Sequence, residues 1–219
     1  MSDAARFGGA AAISACLSIA GALLGAAALA GVFKVTTTIL IIAFAWRRSS
    51  DGFYARAILF GLVASLAGDA FLIAPWGFLP GLVSFLIAHL AYLYAFTGGL
   101  RRGFSVAPAL GYTLFVAIAL SFLWPGVPDA LRVPVVVYIA ALATMAAMAA
   151  SLFLRTTGDG AARALARFAA IGGALFVASD ATLAFNKFAG PVPLSALWIL
   201  AAYWLAQWLI ALSVTPARR

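Results

Sequence analysis

Apolar residues run in long blocks along this chain, and turn or charge signals break the blocks at intervals. An apolar helix needs roughly 20 residues to cross a bilayer. Eight segments meet or approach that length: 10–31, 34–46, 54–74, 78–98, 106–124, 133–154, 165–187 and 193–214. The second is short, so it is expected to be tilted or partly buried. Between segments lie Arg47-Arg48-Ser49-Ser50-Asp51-Gly52, the stretch from Pro75 to Pro80, Arg101-Arg102-Gly103, Pro125 to Pro128, Thr156 to Gly160, and Gly190-Pro191-Val192-Pro193. Glycine, proline and clustered charge punctuate secondary structure in this way. The pattern predicts an all-α, polytopic transmembrane helix bundle of eight spans. No linker or polar block divides it, so residues 1–219 read as a single integral membrane domain.

Composition agrees. Hydrophobic residues make up 66% of the chain and charged residues 9%, against about 25% charged in a soluble domain. The net charge of +8 is carried mostly by arginine in short loops. Eight spans put both termini and the even-numbered loops on one side. That side holds Arg6, Arg47, Arg48, Arg56, Arg101, Arg102, Arg155, Arg163, Arg167, Arg218 and Arg219, and the other holds Lys34, Arg132 and Lys187. Cationic loops stay in the cytoplasm, so both termini are expected there, in a bacterial cytoplasmic (inner) membrane. The same bias explains the basic charge without nucleic acid. The first segment has a rival reading as a cleaved signal peptide, but its apolar run before Cys16 is short and continues well past it. One cysteine permits neither an internal disulfide nor a paired-cysteine metal site.

A few ionisable groups interrupt the apolar runs. Asp69, the only histidine (His89) and Asp180 lie in three different segments, and Lys34 and Lys187 at segment ends. A charged group in hydrocarbon costs at least ~2.5–3.5 kcal/mol, so such groups persist when they pair or do chemistry. Counted from the non-cytoplasmic side, all three fall roughly 9–14 Å below the helix ends. Their neighbours share faces. Phe85, His89, Tyr92 and Phe96 recur at helical spacing, as do Ser65 with Asp69, Phe176 with Asp180 and Lys187, Tyr203 with Gln207, and Lys34 with Thr38, while Ser179 and Asn186 flank the Asp180 face. Turned inward, these faces make an aromatic-walled pocket with two carboxylates, one imidazole, phenols, an amide and two ammonium groups. Each has a plainer reading: a core histidine, interfacial tyrosine and tryptophan, snorkelling lysines, glutamine as glue between helices. The two aspartates at matched depth resist that treatment.

At these residues the chain resembles the lysoplasmalogenase family of eight-span membrane proteins, the YhhN-like or TMEM86-like group. The resemblance is carried by Gly68-Asp69, by Phe85-Leu86-Ile87-Ala88-His89-Leu90-Ala91-Tyr92, by Gly173 to Asp180 with Asn186-Lys187-Phe188, and by Tyr203-Trp204-Leu205-Ala206-Gln207. It spans about Lys34 to Gln207. One departure is Lys34-Val35, where the family often has Lys-Pro at the start of its second span. The resemblance implies hydrolysis of the vinyl-ether bond of lysoplasmalogens, releasing a fatty aldehyde and a glycerophospho-ethanolamine or -choline. That chemistry needs a general acid, a carboxylate to stabilise an oxocarbenium-like cation and a group to position water. Asp69 and Asp180 are expected to share the first two roles, with His89 and Tyr92 orienting water or protonating the departing oxygen. Lys34 and Lys187 are expected to hold the lipid phosphate, and Asn186, Ser179, Tyr203 and Gln207 to line the substrate site. No cofactor and no metal are called for. The partners expected are the lysophospholipid substrate and membrane lipid.

Other classes remain open on the residues alone. The same buried carboxylates suit a small-molecule or proton-coupled transporter. His89 with two aspartates is a thin zinc set. Lys187 sits too near a helix end for a buried Schiff base.

Overall fold

The computed structural model describes residues 3–49, 52–98, 103–158 and 160–216. The turn residues Ser50, Asp51, Arg101, Arg102 and Asp159 and the terminal Arg218 and Arg219 lie outside them. Among the described residues eight helices are long and apolar enough to cross a membrane. They are α1 (Asp3–Leu23), α2 (Ala27–Arg48), α3 (Phe53–Phe71), α4 (Phe78–Phe96), α5 (Val106–Leu123), α6 (Asp129–Arg155), α7 (Ala161–Ala184) and α8 (Ser195–Leu212). A tight helical turn, Trp124–Gly126, follows α5, and a wider one, Phe185–Ala189, follows α7. Among the described residues the sole β feature is an isolated bridge between Ser49 and Pro216.

The first two spans need correction. The apolar run does not break near residue 32. It breaks at Leu24-Gly25-Ala26, where Gly25 takes φ +72°, a left-handed conformation that glycine adopts without a Cβ clash. The second span is therefore a full 22 residues rather than short. Lys34 then lies seven residues inside α2, about 10 Å from its start, and does not mark a segment end. The missing proline after Lys34 has a simple consequence: a residue before proline is disfavoured in helical geometry, whereas Lys34-Val35 continues the helix.

α1 belongs to the bundle. Ser18 Oγ donates to Ala30 O at 2.8 Å and Ser14 Oγ to Phe33 O at 3.1 Å, both across to α2. Tight pairs α3–α4 and α7–α8 complete the frame, with α6 against both α4 and α7. Close approach demands small residues: a Cβ on Gly61 of α3 would lie 2.3 Å from Tyr92 Cε1 of α4. α5 stands apart. Only Leu123 of its residues is buried, and it leans chiefly on α6.

Contacts between helix ends bring the first and last helices together at one end of the bundle. Arg47 approaches Asp3 at 3.6 Å, Arg48 donates to Val214 O at 3.0 Å, and Tyr54 pairs with Ser213 at 2.7 Å. The start of α1 and the end of α8 therefore share one end of the bundle with the ends of α2 and start of α3.

Candidate active site

Two polar clusters lie within the apolar bundle, and each is built around one aspartate. The first belongs to Asp69, near the end of α3. Thr38 Oγ1 donates to its Oδ2 at 2.6 Å, Tyr203 Oη donates to the same atom at 2.7 Å, and Lys34 Nζ stands 3.4 Å from Oδ1. Lys34 and Thr38 share one face of α2 because they are four residues apart. Behind Tyr203 the network continues. Gln207 Nε2 donates to Tyr203 Oη at 3.2 Å, and Tyr92 Oη donates to Gln207 Oε1 at 2.7 Å. Tyr203 is thus a buried donor to a carboxylate and no interfacial anchor. Tyr92, fully buried, is three hydrogen bonds from Asp69 and acts on it through Gln207 and Tyr203.

The second cluster belongs to Asp180 on α7. Tyr138 of α6 donates its phenol proton to Oδ2. His89 Nε2 lies 2.9 Å from Tyr138 Oη and 3.4 Å from Asp180 Oδ2. Nδ1 of His89 is buried with no partner. The tautomer carrying hydrogen on Nε2 leaves only a lone pair unmatched there, and it orders the chain as His89 to Tyr138 to Asp180. Phe176 separates the clusters, edge-on to His89 at 4.7 Å and to Tyr203 at 5.5 Å.

Both aspartates line one cavity of about 540 Å³, together with Lys34, Tyr138, Ser179 and Tyr203. Ser179 points its hydroxyl at Ile199 O, 2.9 Å away, tying α7 to α8. A second, narrow cavity of about 80 Å³ lies between α4, α5, α6 and α7 and is almost wholly apolar, with Phe85, Phe115 and Leu142 among its walls. Asp180 and Tyr138 line both cavities.

Two expected members fall elsewhere. The wide turn after α7 swings Asn186 away, so that its Oδ1 accepts from Val192 N–H at 3.0 Å and closes the following loop. Lys187 is exposed and its ammonium sits 4.1 Å from the Phe78 ring centroid. It lines the narrow cavity and not the polar one, so the two lysines serve different places. Tyr138 is the residue that sequence reasoning passed over. Its signal was a single phenol in the run Val135-Val136-Val137-Tyr138-Ile139, roughly as far from its helix start as His89 is from its own. Among the described residues no three His, Cys, Asp or Glu side chains gather as a metal site.

These features define a polytopic membrane protein with two separately held carboxylates on one internal cavity. Comparison with known proteins then places it: the YhhN family matches residues 29–214, and the chain belongs to that family. The human lysoplasmalogenase TMEM86B is 33% identical over 185 residues, covering 84% of this chain and 74% of its own. Lysoplasmalogenase TMEM86A of Bos taurus is 37% identical over 171 residues, covering 75% and 67%. A lysoplasmalogenase of Mycobacterium bovis is 31% identical over 174 residues, covering 76% and 62%. No solved structure matches the chain significantly.

Proposed function

We propose that this integral membrane protein hydrolyses the vinyl-ether bond of lysoplasmalogens, with Asp180 as the acid and Asp69 as the ionised partner. The observation that carries the reading is the placement of Asp180 and Tyr138 on the wall common to an apolar cavity and a polar one. An alkenyl lipid needs the first and water needs the second. The names of the mammalian and mycobacterial relatives support the same substrate class.

In this reading Asp180 transfers a proton to the alkene carbon one bond removed from the ether carbon. The carbon–carbon double bond supplies the electron pair, leaving an oxocarbenium ion. Water adds to the ether carbon and loses a proton. The hemiacetal then breaks its bond to the glycerol oxygen, which takes a proton while the hemiacetal hydroxyl gives one up, and an aldehyde and a glycerophospho-alcohol leave. Tyr138 and His89 hold Asp180 in place and offer a path for its proton. Asp69 has a charge partner in Lys34 and two hydroxyl donors, contacts that favour the carboxylate form. It faces the cavity from the water side, where it stabilises the cation and orients water.

The arginine-rich end of the bundle is proposed to face the cytoplasm of a bacterial cell. The site then opens towards the opposite half of the membrane.

The deciding experiment is aldehyde release from 1-alkenyl lysophospholipid by purified protein in detergent, beside the 1-acyl analogue and Asp180→Asn. Aldehyde from the alkenyl lipid alone, lost in the variant, is the expected result. Fatty acid from the acyl lipid would mean a lysophospholipase instead. Turnover of neither would overturn the reading, since a transporter needs two compartments and has nothing to do in detergent.

A further inference from the structure

We infer that lipid and water reach the reacting atoms from opposite sides, the lipid sliding in sideways from the bilayer between α4 and α5 with its phosphate on Lys187. This rests on the vinyl-ether reading for the identity of the lipid, but the geometry is separate from it. α5 packs chiefly on α6, and the narrow cavity fills the space between α5 and α4. At its outer end stand Phe78, Leu123 and the ammonium of Lys187; deeper in are Phe115, Leu142 and Ala143. Between the two ends, on α7, is Asp180.

That order matches the order of groups in a single-chain phospholipid lying in the outer half of the membrane. Asp180 precedes Lys187 by seven residues, four of them regular helix to Ala184 and the rest in the widened turn. The helix contributes about 6 Å of rise, which is the reach of an extended phosphoglycerol bridge. A phosphate on Lys187 therefore sets the bond next to the glycerol beside Asp180 and Tyr138, and the hydrocarbon continues inward past Leu142 and Phe115. The cavity is about 80 Å³ against about 540 Å³ for the polar one. A space that small does not take two chains side by side. Lys34 is engaged with Asp69 at 3.4 Å on the far side of that wall, so it is not the phosphate's partner.

The test uses full-length protein in nanodiscs and a 1-O-alkyl lysophosphatidylethanolamine with a diazirine in its chain, which has no vinyl ether to cleave. Photolysis followed by peptide mass spectrometry should label α5 and α6 near Phe115, Ala119 and Ala143, and unlabelled lipid should compete. Labelling confined to other lipid-facing helices, or undiminished by competitor, overturns the inference whatever the protein hydrolyses. Alongside it, Ala143→Phe should raise KM for a hexadecenyl substrate about tenfold more than for a butenyl one. The same substitution at the outward-facing Val137 should leave both unchanged. Lys187→Ala should raise KM about tenfold with kcat kept, and Lys187→Arg should restore it. Equal effects on long and short chains, or no effect of Lys187→Ala, would also overturn it. If wild-type protein releases no aldehyde yet is labelled as described, the site stands and the reaction does not.

Discussion

Lys34 Nζ lies 3.4 Å from Oδ1 of Asp69, and the pair joins α2 to α3 well inside the bundle, with the lysine side chain 17% and the aspartate 1% exposed. Neither charge is tolerable there alone. Removing one partner of a buried ion pair costs about 3–5 kcal/mol, because the other is left uncompensated, whereas removing both can be nearly neutral. Lys34→Met should therefore lower the unfolding temperature in detergent sharply, and Lys34→Met with Asp69→Asn should recover most of the loss. Equal damage in single and double variants would show that the pair is not coupled.

Asp180→Asn and Asp69→Asn should each reduce kcat for the alkenyl lysophospholipid by at least about two orders of magnitude, the usual effect of losing a positioned acid or base. Aldehyde release under saturating substrate is the measurement. Near wild-type turnover in either variant would remove that residue from the mechanism.

Tyr138→Phe separates positioning from binding. The phenol bridges His89 and Asp180 without adding bulk to either cavity. Once Asp180 has given up its proton, the phenol's bond to it is to a charged group and is worth about 1.5–3 kcal/mol, or roughly 10- to 100-fold in rate. The expected result is that loss in kcat with KM unchanged. A rise in KM alone would place Tyr138 in substrate binding only.

Gly61→Ala tests the frame. Its new Cβ would meet Tyr92 at 2.3 Å, and that ring is fully buried. Overpacking of this kind costs about 1–3 kcal/mol. Because Tyr92 holds Gln207, and Gln207 holds Tyr203, activity should fall along with thermal stability. A stable and fully active variant would show that Tyr92 is free to move.

Much of this was legible from the chain. Apolar block length gave the number and order of the helices, and the isolated polar residues Asp69, His89, Asp180, Tyr203 and Gln207 do turn inward. What failed did so for local reasons. Gly25 is flanked by leucine and alanine that suit a helix as well as a turn, so the apolar pattern marks the α1–α2 break too late and puts Lys34 at a helix end. Asn186 was put beside the Asp180 face by helical arithmetic, which assumes a constant turn and breaks down where Phe185–Ala189 widens. Tyr138 carries no charge and sits among valines, so only its depth, matched to that of His89, sets it apart from a packing tyrosine. Its role is visible only once α6 is laid against α4 and α7.

The widened turn Phe185–Ala189 has a consequence for how such a protein can diversify. Lys187 lies within it, just beyond the regular helix that carries Asp180, so the two do not share one constant helical register. Inserting or deleting a residue in a regular helix turns everything beyond it by about 100°. Here a change of that kind would re-aim the ammonium while leaving the acid where it is. Preference for one polar headgroup over another can therefore drift across generations without passing through an inactive ancestor.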